Sequence, residues 1–145
     1  MKKVVFGSLV VLLLVYGFVI YSYAQPGYLA GETEEWSASY VSEQSAKDIW
    51  RGDFTWEKKS GIITKYEFKK NGQTITNLVE NAEIDMASTE KYSFASLGEP
   101  PVKGENYELV ITWAFEGQEK VETVQLDYQN RYFVVPRFIY SFSNN

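Results

Sequence analysis

The chain of 145 residues contains neither cysteine nor histidine, and these two absences exclude several kinds of chemistry. Without a thiol the chain cannot form a disulfide, and it cannot carry a lipid on an N-terminal cysteine. Without an imidazole it lacks the commonest general base and the commonest metal ligand. Triads built on histidine are therefore excluded. The sequence predicts a non-enzymatic protein with no catalytic residue, no cofactor and no metal site.

Positive charge is scarce in the part of the chain after residue 30. All 19 acidic residues lie at or after Glu32, whereas two of the 14 basic residues, Lys2 and Lys3, lie near the start. The remaining 12 basic residues against 19 acidic ones leave a formal charge of −7. A domain with this charge has no general electrostatic attraction to nucleic acid, so we expect no nucleic-acid partner.

An uncharged apolar run from Val4 to Tyr21 follows the two N-terminal lysines. As a helix, this run would measure about 27 Å, close to the thickness of a hydrocarbon core. Lysines precede the run, and a group of glutamates follows it from Glu32 onwards. The positive-inside rule therefore places the N-terminus in the cytoplasm and the remainder of the chain outside the cell membrane, with one membrane pass.

The sequence leaves open whether this run is retained. Ser22-Tyr23-Ala24 places small residues at positions −3 and −1 before Gln25, as at a signal-peptidase site. Cleavage at Ala24–Gln25 would release a secreted domain. The run is longer than the usual signal core of about 7–15 residues, which favours an uncleaved anchor. We expect residues 1–24 to form the anchor or signal, 25–34 a tether and 35–145 the extracytoplasmic domain.

Short strand-like runs separated by turn signals occupy the chain after the tether. The clearest run, from Tyr107 to Phe115, places large apolar residues at every second position. Asn71-Gly72 is the strongest hairpin signal, because both residues accept a positive φ. We predict strands over 36–41, 49–58, 62–69, 73–79, 107–115, 119–126 and 132–140, and the pattern is weaker over 82–87 and 91–96.

This pattern predicts the fold class. Aromatic residues make up 17% of the chain, and no convincing amphipathic helix interrupts the strand-like runs. Seven to eight short antiparallel strands with turn signals at regular intervals are typical of an immunoglobulin-like β-sandwich. We therefore expect an all-β sandwich after an N-terminal transmembrane or signal helix.

Two segments carry a resemblance to a known group of domains. They are Gly31-Glu-Thr-Glu-Glu-Trp36 and the run from Tyr107 to Leu126. Together they resemble small sandwich domains of Bacillus-type cell-envelope lipoproteins, over about residues 31–126. The resemblance implies an extracytoplasmic location in a Gram-positive bacterium and no defined activity or site residues. Because such lipoproteins carry a lipid-modified cysteine, the apolar run would have to replace the lipid here.

Tryptophans supply the first candidate binding group. Trp50, Phe54 and Trp56 are predicted to share one strand face, which favours a core face, although a flat aromatic strip also suits stacking on sugar rings. Trp113 lies within the most apolar strand and is expected in the core. Trp36 is flanked by polar residues near the domain start. If one tryptophan serves as an exposed partner anchor, the sequence favours Trp36, with a core position as the alternative.

Lysines supply the second candidate group. Five of them crowd one predicted hairpin of an otherwise acidic domain: Lys58, Lys59, Lys65, Lys69 and Lys70. They would meet lipid phosphates or anionic wall polymers. Alternatively, they form a solvated face that prevents edge-to-edge aggregation.

Three hypotheses about function follow. The first is a membrane-tethered extracytoplasmic domain that binds an unknown protein or cell-wall polymer. The second is a cell-wall glycan hydrolase or glycan-binding module, for which glutamates such as Glu32, Glu34 and Glu35 would supply paired carboxylates. The third is an accessory subunit of a membrane complex, in which the helix itself carries the specificity.

Overall fold

The computed structural model describes residues 2–43, 49–57, 60–77 and 83–136. Over these residues it contains one helix, α1 (Lys2–Ala24), and nine strands. The strands are β1 (Tyr28–Glu32), β2 (Trp36–Ser42), β3 (Trp50–Trp56), β4 (Ile62–Lys70), β5 (Gln73–Asn77), β6 (Ile84–Asp85), β7 (Lys91–Leu97), β8 (Tyr107–Phe115) and β9 (Gln118–Gln129). The predicted all-β class after an N-terminal apolar helix is confirmed.

The strands form one antiparallel sheet that curls into a nearly closed barrel. The order across the sheet is β5-β4-β8-β9-β1-β2-β3-β7, and the short β6 pairs with β4. Strand β9 joins the two halves of the barrel. Its residues from Gln118 to Leu126 pair with β8, and those from Asp127 to Gln129 pair with β1.

Residues 28–32 correct the predicted tether, because they form strand β1 inside the barrel. β1 lies between β2 and β9, and Tyr28 is opposite Gln129 in the register. Gly31 is needed here for close packing: a Cβ at this position would lie 1.9 Å from the carbonyl oxygen of Gln125. The barrel therefore begins directly after the helix and not at residue 35.

Alternation along the strands places most of the large aromatic residues inside the barrel, as period-two patterning predicts. Trp36 of β2 contacts Trp113 of β8 with ring centroids 5.0 Å apart. Tyr40 of β2 contacts Phe68 of β4 at 5.5 Å. These contacts cross the barrel interior, so both halves share one core. The most deeply buried large side chains are Trp36, Trp50, Phe54, Phe68, Leu29, Ile63, Leu109, Ile111, Leu126 and Val124.

Two details of the predicted strands differ from the structure. In β4 a register shift lies between Ile63 and Lys65, so Ile63 is fully buried and Ile62 is 39% exposed. Strict alternation with Tyr66 and Phe68 would instead place Ile62 on the inner face. Residues 132–136 of the predicted last strand have no strand structure, and residues 137–140 lie outside the described residues.

Two tight turns connect neighbouring strands. Asn71 and Gly72 have φ values of 51° and 77°, which confirms the predicted hairpin turn between β4 and β5. Glu116 and Gly117 have nearly the same values, 51° and 78°, between β8 and β9. Glutamate is an unusual residue in this left-handed region.

Candidate partner-binding surfaces

The barrel has two ends with different surroundings. At the helix end, β1 begins with Tyr28 beside the last residue of β9, Gln129. The β4–β5 turn lies at the same end, because Lys70 is opposite Tyr107, which in turn is opposite Leu126. At the far end, β1 finishes and β2 begins. Any partner therefore meets either a face close to the helix or a face remote from it.

Trp36 lies at the far end, but it is not exposed. Only 1% of its surface is accessible, and its ring packs against Phe54, Trp56 and Trp113. The prediction of an exposed anchor is corrected, because alternation along β2 turns Trp36 inward while its neighbour Ser37 is exposed. The glutamates that precede Trp36 lie before the strand and do not indicate that its ring is exposed.

Glutamates surround a concavity of about 480 Å³ at the far end. The lining includes Glu32, Glu34, Glu35 and Glu57, together with one edge of Trp36. A backbone hydrogen bond of 3.1 Å from the Glu57 N–H to the Glu35 carbonyl oxygen holds the rim together. Glutamates at and after the end of β1 are thus assembled with Glu57, which follows β3.

Lys65 and Lys69 lie on β4 on either side of Glu67. Their ammonium nitrogens are 3.5 and 3.3 Å from the Glu67 carboxylate oxygens. Burial raises the pKa of the Glu67 carboxyl, but hydrogen bonds and charge from Lys69 and Lys65 outweigh this effect and hold the pKa below its usual range. We call this outer surface of β4 the basic face. It carries two cations, Lys65 and Lys69, around one anion, Glu67.

The other lysines of the candidate group are placed differently. The Lys70 ammonium lies 5.9 Å from the centroid of the Tyr107 ring, next to the β4–β5 turn at the helix end. Lys58 and Lys59 lie outside the described residues. Among the described members of the group, the structure therefore brings together Lys65 and Lys69, with Lys70 at the end of the same strand.

A second concavity, of about 410 Å³, lies between the end of α1 and the helix end of the barrel. Its lining comes from the helix, from β1 to β3 and from the segment after β9. The lining residues are Tyr21, Gln25, Pro26, Tyr28, Val41, Ser42, Glu43, Trp50, Arg131, Phe133, Val134 and Val135. Sequence reasoning did not single out this junction, because its parts lie about 100 residues apart in the chain.

Trp50 and Arg131 meet at this junction. The Arg131 guanidinium carbon is 4.8 Å from the centroid of the Trp50 ring, a cation–π distance. Trp50 itself is 1% exposed, and its indole N–H has no hydrogen-bond partner among the described residues. The sequence signal for this contact is weak, since a single arginine after a strand has no characteristic spacing.

The described residues contain no group of three acidic side chains arranged to hold a metal ion. A Ser-x-x-Lys spacing, as in a Ser–Lys dyad, runs from Ser88 to Lys91. The Ser88 hydroxyl donates to the Asp85 carbonyl oxygen at 3.1 Å, while the Lys91 ammonium pairs with Asp53 at 2.8 Å. The two side chains thus have different partners and do not form a nucleophile–base pair.

Neither a protein-family model, nor a curated protein sequence, nor a solved structure matches this chain.

Proposed function

We propose that this chain is a membrane-anchored extracytoplasmic binding domain without enzymatic activity. The observation that carries the proposal is that the apolar surface of the helix is exposed. Phe6–Ala24 is long and apolar enough to span a membrane, and only 6% of it is buried against the rest of the chain. An apolar helix left uncovered by its own domain needs another apolar environment, which a bilayer supplies.

The connection between helix and barrel supports the same proposal. Only residues 25–27 separate α1 from β1, and the Gly27 N–H donates a 2.7 Å hydrogen bond to the Tyr128 hydroxyl. A barrel attached this closely stays next to the membrane surface. The lysines before the helix favour the orientation with the barrel outside.

The finer description of the fold is part of this proposal. Strands β1, β2, β3 and β7 face β5, β4 and β8 across one core, and β9 belongs to both halves. Two facing halves are what an immunoglobulin-like sandwich requires. Such a sandwich, and the likeness to Bacillus-type envelope lipoproteins, remain predictions.

For the partner we propose an anionic wall polymer or an acidic protein surface that contacts the basic face of β4. Lys65 and Lys69 both point outward on a strand whose inner face is filled by Tyr66 and Phe68. Two ammonium groups around one carboxylate suit an extended polyanion that competes with Glu67 for the same cations.

Fractionation of cells that produce the full chain tests the anchor. We expect the protein in the membrane fraction, with an intact mass that includes residues 1–24. A product that begins at Gln25 in the culture medium would contradict the anchor and support secretion.

A binding measurement with poly(glycerol phosphate) tests the basic face. We expect Lys65→Gln with Lys69→Gln to weaken binding of the detergent-solubilised full chain about tenfold at low salt, since two contacts of roughly 0.7 kcal/mol make one decade. The matched control, Lys103→Gln with Lys120→Gln, removes the same charge elsewhere. An equal loss in both pairs would show that only net charge matters.

A glycan hydrolase is the second candidate, and the four glutamates around the far-end concavity favour it. Glycoside hydrolysis uses two carboxylates on opposite sides of the scissile bond. This alternative predicts release of reducing ends from purified wall glycan, and loss of that release in Glu35→Gln or Glu57→Gln. The leading proposal expects no release by the unaltered chain.

A further inference from the structure

The segment after β9 returns to the end of the helix and packs against it. The rings of Phe18 and Phe133 stack with centroids 6.0 Å apart, and Tyr23 meets Tyr132 edge to face at 5.7 Å. The Val134 N–H donates a 2.9 Å hydrogen bond to the Ser22 hydroxyl, and Ser22 is fully buried. Three consecutive residues of this segment therefore contact one side of the last two helical turns.

These contacts fix the height of the segment along the helix axis. Phe18 lies six residues before Ala24, the last residue of α1, which corresponds to about 9 Å at 1.5 Å per residue. Phe6–Ala24 as a whole measures about 28 Å, nearly the thickness of the hydrocarbon core. If this helix spans a bilayer, Phe133 lies at the depth of the outer boundary of the bilayer and not above the membrane surface.

The segment after β9 exposes three large apolar side chains. Phe133 is 72% exposed and Tyr132 is 61% exposed, and Val135 adds a further 43%. They continue the exposed apolar surface of the helix end, where Ile20 is 51% and Tyr23 is 57% exposed. Because helix and segment touch, their exposed apolar surfaces form one patch.

We propose that Tyr132, Phe133 and Val135 form a second membrane contact, an aromatic wedge that lies in the outer interface of the bilayer beside α1. The inference rests on the membrane anchor proposed above and adds a site to it. Tyrosine is enriched at membrane interfaces, where an apolar ring and a polar hydroxyl are both accommodated.

The backbone of the wedge sets its depth. Residues 131–136 form neither helix nor strand, and irregular backbone exposed to lipid is not tolerated in the hydrocarbon core. The wedge therefore lies at the boundary between headgroups and acyl chains, and the last two turns of α1, against which it packs, lie in the same boundary layer. The Ser22 hydroxyl accepts a hydrogen bond from the Val134 N–H on the side of the segment that faces the helix.

The wedge would set the orientation of the barrel relative to the membrane surface. A barrel connected to the membrane only through residues 25–27 could rotate about this connection. Two membrane contacts on different segments, the helix and the wedge, hold it in one orientation. The helix end, including the β4–β5 turn and Lys70, then faces the lipid headgroups. The acidic concavity around Glu35 and Glu57 points away from them, where it avoids repulsion by anionic lipid.

Site-specific labelling tests the wedge, and the absence of native cysteine makes it direct. The full chain is reconstituted in vesicles of phosphatidylcholine and phosphatidylglycerol, with an environment-sensitive fluorophore on one of three variants: Ile20→Cys, Val135→Cys or Val121→Cys. Val121, which is 62% exposed on β9, is the matched control for Val135. Spin-labelled lipids then report contact with the acyl region by quenching.

We expect strong quenching at Ile20→Cys, at least twofold quenching at Val135→Cys, and none at Val121→Cys. Quenching at Ile20→Cys without quenching at Val135→Cys would overturn the wedge and leave the anchor intact. No quenching at Ile20→Cys would overturn the anchor and the wedge together.

A second measurement keeps the wedge testable if a label disturbs its packing. Tyr132→Ser with Phe133→Ser is introduced into the Val121→Cys chain, whose label reports rotation of the barrel through its fluorescence anisotropy. We expect the anisotropy to fall while the β-sheet circular dichroism is unchanged. Unchanged anisotropy with unchanged circular dichroism would contradict a role for the wedge in holding the barrel.

Discussion

Thr76 and Phe94 connect the two strands at the open seam of the barrel: the Thr76 hydroxyl donates a 2.8 Å hydrogen bond to the Phe94 carbonyl oxygen. Thr76 belongs to β5 and Phe94 to β7, the first and last strands in the order of the sheet. Below this bond, the Phe68 and Phe94 rings meet at 5.0 Å. Side chains thus close a seam that has no backbone ladder among the described residues.

Removal of the seam hydrogen bond should destabilise the barrel. Thr76→Val keeps the shape of the side chain but removes the donor, and we expect the free energy of unfolding to fall by about 1 kcal/mol. The measurement is urea unfolding of the full chain in detergent, followed by tryptophan fluorescence. Thr74→Val, at an exposed position of the same strand, is the control. Equal losses in the two variants would show that the bond does not matter.

Gly52 is predicted to tolerate no side chain. A Cβ at this position would lie 2.4 Å from the Phe94 ring, next to the register shift between Gly52 and Asp53. We expect Gly52→Ala to lower the free energy of unfolding by about 2 kcal/mol, since the ring and strand must move. Gly17→Ala, with nothing within 4 Å of the added carbon, is the matched control and should be nearly neutral. A stable Gly52→Ala variant would contradict this packing.

The β8–β9 turn offers a stabilising substitution. Glu116 has a φ of 51°, the same value as Asn71 in the β4–β5 turn. Asparagine occupies this left-handed region at lower cost than glutamate. We expect Glu116→Asn to raise the free energy of unfolding by roughly 0.5–1 kcal/mol. The same unfolding measurement checks it, and a decrease would show that the glutamate side chain has a favourable contact.

Buried tyrosines should make the barrel sensitive to alkali. Burial raises the pKa of the Tyr66 phenol, with a further contribution from Tyr92, and burial likewise raises the pKa of Tyr40. Above about pH 10 these tyrosines ionise in the unfolded chain but stay protonated in the barrel, which favours unfolding. The contribution of the buried, protonated tyrosines to the free energy of unfolding is therefore complete below about pH 10 and is lost as the pH rises.

Replacement of one buried tyrosine tests whether tyrosine ionisation causes this loss of stability at high pH. We expect Tyr66→Phe to show a smaller loss of unfolding free energy between about pH 9 and 11.5 than the unaltered chain. Tyr132→Phe, at a ring that is 61% exposed, is the comparison and should follow the unaltered chain. Identical pH profiles for Tyr66→Phe and the unaltered chain would contradict a role for Tyr66.

Particular residues explain where sequence reasoning succeeded. The Asn71-Gly72 turn was predicted because its preference for positive φ is local to two residues. The strand from Tyr107 to Phe115 was predicted with its bounds, because strict alternation over nine residues has one simple explanation. The inward position of Trp50 and Phe54 followed from the same period of two.

Other residues explain where it failed. A glycine such as Gly31 gives the same local signal in a tether as at a close contact with Gln125, so the sequence predicts a tether where the structure has β1. The register shift after Ile63 moves a side chain to the opposite face, and no local residue marks it. Of the candidate site, Lys65 and Lys69 were predicted together, whereas the acidic concavity and the wedge were not.

Local sequence patterns specify the elements of this protein: an apolar helix, tight turns, and strands with alternating inner and outer faces. These properties depend on residues within a few positions of one another. The pairing of β1 with β9, the burial of Trp36 and the contact of Phe133 with Phe18 instead depend on the complete fold. Such contacts join residues up to about 115 positions apart, and they form because burial of a shared apolar surface outweighs the cost of closing the long loops between them.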